Sequence, residues 1–474
     1  MHTQLLIDNT ARAASDSQKF TWDDPVTGDT ITTMASGTVQ DAIDAVDSAE
    51  RAFATWSQTG PSHRRDILIK AADLLEARAE EVTQVMSSEV SAAEGWSQFN
   101  VYLTTQCLRQ AASLTSRISG ETIPTDRPGV FSMTVRQPAG VVLSMAPWNA
   151  PGVLGMRSLA YPLACGNTVV LKPSELASLT TLRMAELIQE TDLPPGVVNI
   201  VTGYGPTVGA AISEHPDINK VSFTGSTAVG KQILQASTGN LKRTTLELGG
   251  KTPNIIFPDA DLDRAIAAAV FGFTRNSGQI CSAGTRVFVH ESIHDEVTEK
   301  ITKLAAEQKV GMPFDPETKL GPVISAKQLD RVMSYVHSGS SDGAALRTGG
   351  QRLDGKGYFV APTVFSDVAN SMKIAREEIF GPVAAIIPFR DEDDAVFQGN
   401  DSTYGLAAGI WTRDISRAHK VARAIRAGRV WINTFGETDP VMPFGGFKQS
   451  GLGREFGIDS IMAYTETKSV QVRF

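Results

Sequence analysis

Residues 221–233, VSFTGSTAVGKQI, change their pattern midway. The first four form a short β-branched run that is typical of a strand, and Gly225 and Ser226 mark a turn. The residues after this turn have the character of a helix. A strand that passes through a tight turn into a helix is the repeating unit of α/β proteins. This stretch therefore predicts a parallel sheet with crossover helices.

The same alternation extends to both sides of this stretch. Similar short runs are GVVLSMAP, NTVVLKPS, VVNIVTG, TLELGG and NIIFPD between residues 139 and 260, with helical segments such as SLTTLRMAELIQE between them. Further on, DLDRAIAAAVFGFTRNS (261–277) has helical spacing, whereas TRVFVH, AAIIPF and RVWIN are strand-like. Residues 38–118 place apolar residues three and four apart and predict helices. The sequence thus predicts an α/β fold with parallel sheets.

Two segments have a different pattern. Residues 130–137 (VFSMTVRQ) and 467–474 (TKSVQVRF) alternate apolar and polar side chains. This alternation is typical of strands with one exposed face or edge, which pair readily across a subunit boundary. We therefore predict an oligomerisation arm.

Composition narrows the function classes. A chain of 474 residues is too long for a single hydrophobic core, so we predict two or three domains. The net charge is −8 and the sequence has no basic stripe, which argues against binding to nucleic acid. No apolar run is long enough to span a bilayer. The start of the chain lacks a signal-peptide pattern, and the three cysteines are an odd, low count typical of a reducing cytoplasm. We predict a cytoplasmic protein without a metal site.

Cys281 is the candidate nucleophile among the three cysteines. It lies in SGQICSAGTR, between a predicted helix and a predicted strand, with small neighbours that leave its sulfur accessible. Cys107 and Cys165 lie in apolar surroundings and are interpreted as structural. By itself, the motif leaves open that Cys281 is an inert buried cysteine. Glu247, in TLELGGK, ends a predicted strand and is a candidate general base, although a solvated turn residue fits that motif alone.

The turn after residues 221–224 is also a candidate phosphate site. A helix N-terminus offers free N–H groups and a positive dipole end. Gly225 and Gly230 frame the turn, but their spacing is not the usual dinucleotide fingerprint. Lys172 and Glu175, in LKPSE, follow another strand, where ligand crevices of doubly wound sheets lie. Glu175 would bind ribose hydroxyls and repel a 2′-phosphate, which favours NAD over NADP.

Seven motifs in order, PWN, KPSE, FTGSTAVG, LELGGK, GQICSAGTR, EEIFGPV and PFGGFKQSG, resemble the aldehyde dehydrogenase superfamily over nearly the whole chain. The resemblance implies Cys281 as nucleophile, Glu247 as general base and Asn149 as oxyanion donor, with a free acid as product. It also implies a Rossmann-type NAD-binding domain (1–119 and 138–246), a catalytic domain (247–445) and a strand arm (120–137 and 446–474), in a homodimer or homotetramer. The residues expected to bind the cofactor are Trp148, Lys172, Glu175, Gly205, Gly225, Ser226, Gly230, Glu378 and Phe380.

The segment MAPWNAPGVLGMR (145–157) departs from the common family pattern. Many members that act on aliphatic aldehydes have an aromatic residue where this chain has Ala150, and many have Trp-Lys where it has Arg157 and Ser158. The pattern looks like the branch that oxidises benzaldehyde, vanillin or salicylaldehyde in aromatic catabolism. The expected substrate pocket comprises Trp96, Ala150, Arg157, Ile280, Ser282, Phe435 and Phe444.

Three alternatives remain open at this stage. For Arg157 the alternative is a structural salt bridge, and for Trp96 it is core packing. The segment INTFGETDPVMPFGG resembles aliphatic or amino-aldehyde enzymes instead, so an aliphatic aldehyde or semialdehyde dehydrogenase is the alternative function. A non-catalytic binding protein is disfavoured because the cysteine and the glutamate are both present.

Overall fold

The computed structural model describes residues 3–474. Its strands are β1 (5–7), β2 (10–12), β3 (19–23), β4 (30–35), β5 (122–123), β6 (130–138), β7 (141–146), β8 (168–173), β9 (198–200), β10 (220–224), β11 (243–247), β12 (253–256), β13 (286–290), β14 (345–348), β15 (363–366), β16 (383–389), β17 (407–411), β18 (429–432), β19 (451–452) and β20 (465–473). Its helices are α1 (39–56), α2 (61–77), α3 (79–90), α4 (94–114), α5 (151–164), α6 (179–189), α7 (210–214), α8 (227–236), α9 (262–274), α10 (294–306), α11 (326–341), α12 (373–376), α13 (392–400), α14 (415–424) and α15 (459–463). The predicted α/β class is confirmed.

The first sheet is the doubly wound unit that residues 221–233 predicted. Its order is β19-β11-β10-β7-β8-β9-β1-β2, and the five strands from β11 to β9 are parallel. The chain moves outward from β7 in one direction through β8 and β9, and in the other direction from β10 to β11. The boundary between β7 and β10 is therefore the topological switch point, where such sheets bind ligands at their carboxyl edge.

Alternating side chains of the buried strands fill cores on both faces of each large sheet. Along β7, Val142 and Ala146 join one core cluster, whereas Val141, Leu143 and Met145 join another. The second sheet, of order β14-β15-β16-β13-β12-β17-β18, is parallel except for β14. These strands are apolar on both faces because helices cover both sides of a parallel sheet.

The two alternating segments pair with each other. β6 and β20 form an antiparallel ladder from Val130 opposite Arg473 to Pro138 opposite Thr465, and β5 adds a third strand. The predicted strands are therefore present, but their pairing lies within one chain. Residues 446–464, which we predicted as part of the arm, pack with the first sheet instead. β19 pairs with β11 at the edge of that sheet, and Phe456 and Tyr464 lie in its core. The remaining domain limits stay a prediction.

The helical predictions hold with one difference. Residues 38–118 form α1 to α4, and α1 begins with the Thr38 side chain accepting a bond from the Asp41 N–H. The helix predicted over 261–277 ends at Thr274, because Asn276 and Ser277 adopt left-handed backbone angles. Within residues 3–474, no helix is both long enough and apolar enough to cross a membrane.

Candidate active site

The carboxyl edge of the first sheet gathers the predicted cofactor residues. Trp148 and Asn149 follow β7, Lys172 ends β8, and Ser226 follows β10, on both sides of the switch point. Gly205 begins a helical turn shortly after β9. Parallel strands end at one edge, so motifs far apart in sequence meet there.

The start of α8 is open to solvent. Ser226 caps the helix by accepting a hydrogen bond from the Val229 N–H at 3.3 Å, and Gly225 donates its N–H to the Glu247 carbonyl at 2.9 Å. Ser226 is exposed, whereas Gly230 is buried against Leu248. The first N–H groups of a helix lack partners within the helix and suit a phosphate oxygen.

Lys172 and Glu175 form a donor and acceptor pair at the carboxyl end of β8. The Lys172 ammonium is buried and donates to the Pro173 carbonyl at 2.9 Å and to Glu175 at 3.4 Å. Burial lowers the pKa of Lys172, partly offset by Glu175. The Glu175 side chain is 37% exposed. An amine and a carboxylate together match the hydroxyls of a ribose, so the donor set fits a dinucleotide.

A backbone kink positions the loop of Cys281. Asn276 and Ser277 have φ of 50° and 53°, which non-glycine residues rarely adopt. The Ser277 hydroxyl donates to the Gly321 carbonyl at 2.6 Å, and the Asn276 amide donates to the Asn149 carbonyl at 3.1 Å. These bonds hold a strained turn, which is common at functional sites. The chain therefore leaves α9 and brings Cys281 towards the first sheet.

Gly249 and Gly250 allow the motifs of Glu247, Cys281 and Glu378 to approach one another closely. A Cβ atom at Gly249 would collide with the carboxylate of Glu378, and one at Gly250 would collide with the Cys281 carbonyl. The Gly250 N–H instead donates to Glu378 at 3.1 Å. This close approach explains why LELGGK has two glycines directly after the candidate base.

Asn149 is buried and faces the cysteine loop. Its side-chain amide donates one N–H to the Gln279 carbonyl at 2.9 Å. The amide carries two N–H donors, so one remains for a ligand. The Cys281 backbone N–H makes no hydrogen bond among the described residues. These two free donors form a candidate oxyanion site.

Glu247 is a buried carboxylate without a hydrogen bond. Both side-chain oxygens lack a partner, and the residue is 3% exposed. Burial raises the pKa of Glu247 well above its ordinary value, while the charge of Arg157 opposes the rise. A raised pKa makes the ionised carboxylate a stronger proton acceptor, as a general base requires.

Cys281 is partly exposed, yet its sulfur lies in a crowded, poorly solvated place. This desolvation raises the pKa of the Cys281 thiol to about 12, and the charges of Glu378 and Glu247 add to the rise. Cys107 and Cys165 are buried, and burial raises the pKa of each to about 12. Cys281 differs from them in being partly exposed rather than buried.

Glu378 and Phe380 come from the EEIFGPV motif. Burial raises the pKa of Glu378 to about 7, with the Gly250 hydrogen bond opposing it. The ring of Phe380 lies edge-on to Trp148, with centroids 5.2 Å apart. The predicted residues at this end of the crevice therefore come together.

The predicted pocket residues separate into two groups. Trp96, Ile280, Ser282 and Phe435 line a cavity of about 60 Å³ next to Cys281. Ala150, Arg157 and Phe444 do not line that cavity. Ala150 lies in the core at the start of α5, and Phe444 packs against the same core.

Arg157 is part of a buried ion pair, whereas the sequence led us to expect it at the border of the substrate pocket. It is 2% exposed, its Nε lies 3.9 Å from Glu455, and it donates to the Thr224 hydroxyl at 3.0 Å. Ser222 and Tyr464 donate to the other Glu455 oxygen at 2.8 and 3.0 Å. The structural salt bridge is the alternative that this geometry favours.

Sequence reasoning missed Glu455 and Arg275. Glu455 stands between Arg454 and Phe456, and this local sequence gives no sign that its carboxylate is buried. Arg275 lines the cavity next to Cys281, and it is a charged residue in the otherwise uncharged run FTRNSGQIC.

The donor set at the carboxyl edge of the first sheet fits a dinucleotide, and a partly exposed cysteine and a buried carboxylate without a hydrogen bond lie close to it. This combination is typical of NAD-dependent oxidoreductases. The chain belongs to the aldehyde dehydrogenase family. The sequence profile described as "Aldehyde dehydrogenase family" matches residues 12–470.

Individual relatives agree with this assignment. A mouse protein named "Aldehyde dehydrogenase, cytosolic 1" is 44% identical, over 100% of this chain and 95% of its own length. A putative aldehyde dehydrogenase from Burkholderia cenocepacia superposes with a TM-score of 0.98 at 42% identity, covering 100% of this chain and 97% of that one. Betaine aldehyde dehydrogenase from Staphylococcus aureus, solved in complex with NAD⁺, superposes with a TM-score of 0.98 at 35% identity. The match covers 99% of this chain and 95% of that one.

Proposed function

We propose that this protein oxidises an aromatic aldehyde to the free carboxylic acid with NAD as the acceptor. The observation that carries the aromatic class is the cavity next to Cys281, which has Trp96, Phe99, Phe271 and Phe435 among its lining residues. Aromatic walls favour offset and edge-on contacts with a substrate ring. An aliphatic aldehyde or semialdehyde is the alternative.

The reaction follows from the positions of the side chains. The Cys281 thiolate attacks the aldehyde carbon, and the new oxyanion receives hydrogen bonds from the Asn149 amide and the Cys281 N–H. NAD, when bound, accepts the hydride that leaves this carbon. The resulting thioester is attacked by water, which passes a proton to Glu247, and the acid leaves with regeneration of the thiolate. Loss of one oxyanion donor typically costs about 100- to 1,000-fold in turnover.

Two variants separate these steps. Cys281→Ala is expected to abolish NADH formation, whereas Cys107→Ala is the matched control and should retain it. Glu247→Gln should still form one equivalent of NADH and then accumulate acyl-enzyme, visible by intact-protein mass spectrometry. Normal turnover of Glu247→Gln would show that another group activates the water.

A panel of aldehydes tests the substrate class. We expect benzaldehydes to have higher kcat/KM than butanal or hexanal, measured as NADH formation. The aromatic proposal fails if hexanal exceeds every benzaldehyde, and the aliphatic alternative then replaces it.

The preference for NAD rests on Glu175. Its partly exposed carboxylate lies next to Lys172 and would repel a 2′-phosphate. We expect a lower KM for NAD than for NADP, and a smaller difference between the two in Glu175→Gln. A lower KM for NADP in the parent protein would contradict this assignment.

We further propose a cytoplasmic homodimer or homotetramer. Support comes from the outer edge of β20, which has no partner strand in the described part of the chain and carries mostly exposed side chains. Light scattering that gives a monomer mass at working concentrations would reject the assembly.

A further inference from the structure

Arg275 lies at the end of α9, among aromatic rings. Its guanidinium carbon is 4.1 Å from the ring centroid of Phe99, 4.7 Å from that of Trp96 and 4.9 Å from that of Phe271. The same cavity is lined by Ile280 and Ser282, the two neighbours of Cys281. A positive charge is therefore present in the pocket that adjoins the nucleophile.

This guanidinium has no anionic partner. Among residues 3–474, no carboxylate pairs with Arg275, and no group accepts a hydrogen bond from it. No Asp or Glu lines the cavity. Burial lowers the pKa of Arg275 to about 10, without a counter-charge to oppose it. Arg275 is only partly buried, so water still reaches its donors and a ligand carboxylate can replace that water.

The free space next to Arg275 is small. The cavity measures about 60 Å³, which is below the roughly 150 Å³ of an apolar cavity known to hold benzene. The Arg275 side chain occupies the space between the rings. A substrate ring of either charge therefore has to shift the Arg275 side chain. A substrate with a carboxylate gives the shifted guanidinium a partner, whereas a neutral substrate does not.

We propose that Arg275 binds a carboxylate that the aldehyde substrate carries at the end away from its aldehyde group. The planar guanidinium pairs with a carboxylate through two parallel N–H donors while the rings hold its faces. This inference rests on the proposed aldehyde oxidation and specifies its substrate class. It also predicts rejection of cationic aldehydes, since the aromatic cage that could hold a quaternary ammonium already contains a cation.

The test compares aldehydes that differ in charge and little else. We expect 4-carboxybenzaldehyde to exceed its neutral methyl ester by roughly 10- to 100-fold in kcat/KM, the range for a hydrogen bond to a charged group. A 4-trimethylammonium benzaldehyde should be the poorest substrate. Succinic semialdehyde against butanal shows whether the carboxylate effect needs a ring.

Variants assign this preference to Arg275. Arg275→Met should remove the preference of acid over ester, and Arg275→Lys should keep part of it. Arg264→Met is the matched control, because Arg264 lies on the exposed face of the same helix. An unchanged acid-to-ester ratio in Arg275→Met, or no preference in the parent protein, overturns the proposal.

Binding separates this proposal from the proposed reaction. In a Cys281→Ala background, calorimetry should detect 4-carboxybenzaldehyde more strongly than its ester, and Arg275→Met should abolish the difference. Such binding without oxidation of any aldehyde by the parent would reject the reaction and keep the role of Arg275. Oxidation of neutral aldehydes together with equal binding of acid and ester would reject the role of Arg275 and keep the proposed reaction.

Discussion

Arg157 and Arg275 are two arginines of the active-site region with different surroundings. Both guanidinium groups lie over aromatic rings, Arg157 at 5.2 Å from the Phe456 centroid and Arg275 at 4.1 Å from that of Phe99. Arg157 has Glu455 as counter-charge and Thr224 as acceptor, whereas Arg275 has neither kind of partner within residues 3–474.

The difference separates a structural charge from a binding charge. Arg157 has a counter-charge inside the folded chain, although its Nε and the facing Glu455 oxygen make no hydrogen bond with each other. A charge without a counter-charge contributes little to folding and keeps its hydrogen-bond donors for a ligand. The charge of Arg157 acts on Cys281, and Arg275 lines a cavity with the two neighbours of Cys281, so both arginines belong to this region and differ in their partners.

The largest expected effect is on stability, in Arg157→Met. Removing one member of a buried ion pair leaves the other uncompensated and costs about 3–5 kcal/mol. We expect the free energy of unfolding in urea at pH 7 to fall by that amount, with equal losses of activity towards acidic and neutral aldehydes. An unchanged midpoint with a selective loss towards acidic substrates would exchange the roles of the two arginines.

A double variant is the control for this effect. Glu455→Gln removes the negative charge and keeps an oxygen for Ser222 and Tyr464. Arg157→Met/Glu455→Gln should therefore recover part of the loss, with a coupling energy of about 1–3 kcal/mol. Strict additivity of the two single variants would show that the ion pair contributes nothing.

The sequence predicted the fold better than it predicted the surroundings of the expected pocket residues. Strand and helix patterns are local, and β7 to β13, β16 and β18 lie where their apolar runs predicted, whereas β14, β15, β17 and β19 were not predicted. Arg157 and Glu455 are far apart in sequence, so their pairing depends on the return of the chain to the first sheet through β19. The cavity next to Cys281 depends on α4 packing near the end of α9, which no local pattern contains.

A second prediction uses the pH dependence of deacylation. The positive charge of Arg157 lowers the pKa of Glu247 against burial, whereas Arg275 is not among the charges that act on it. In Arg157→Gln the acid limb of the deacylation rate should move to higher pH by about one unit. Arg275→Met should leave the limb in place, measured by decay of acyl-enzyme after mixing. A shift of the acid limb in both variants would mean that Arg157 and Arg275 both lower the pKa of Glu247.

The stability of Glu247→Gln tests whether the pKa of Glu247 is raised in the folded protein. A carboxyl whose folded pKa is raised binds its proton more tightly in the folded state, so ionisation removes stability as pH rises above the unfolded value near 4.5. Glu247→Gln should be more stable than the parent at pH 8, and the gain should vanish below pH 4.5. A gain that grows towards acid pH would contradict a raised pKa.

The smallest effect is expected for the stability of Arg275→Met. The cation–π contacts with the three rings are each worth about 0.5–2 kcal/mol, but they are opposed by the cost of partly burying an unpaired charge, and methionine retains contact with the rings. We therefore expect the free energy of unfolding to change by less than about 1 kcal/mol, in either direction. A loss near that of Arg157→Met would show that the aromatic cage holds Arg275 for the fold. A near-zero change in stability together with a lost preference for carboxylated aldehydes is the result that only a ligand-binding charge produces.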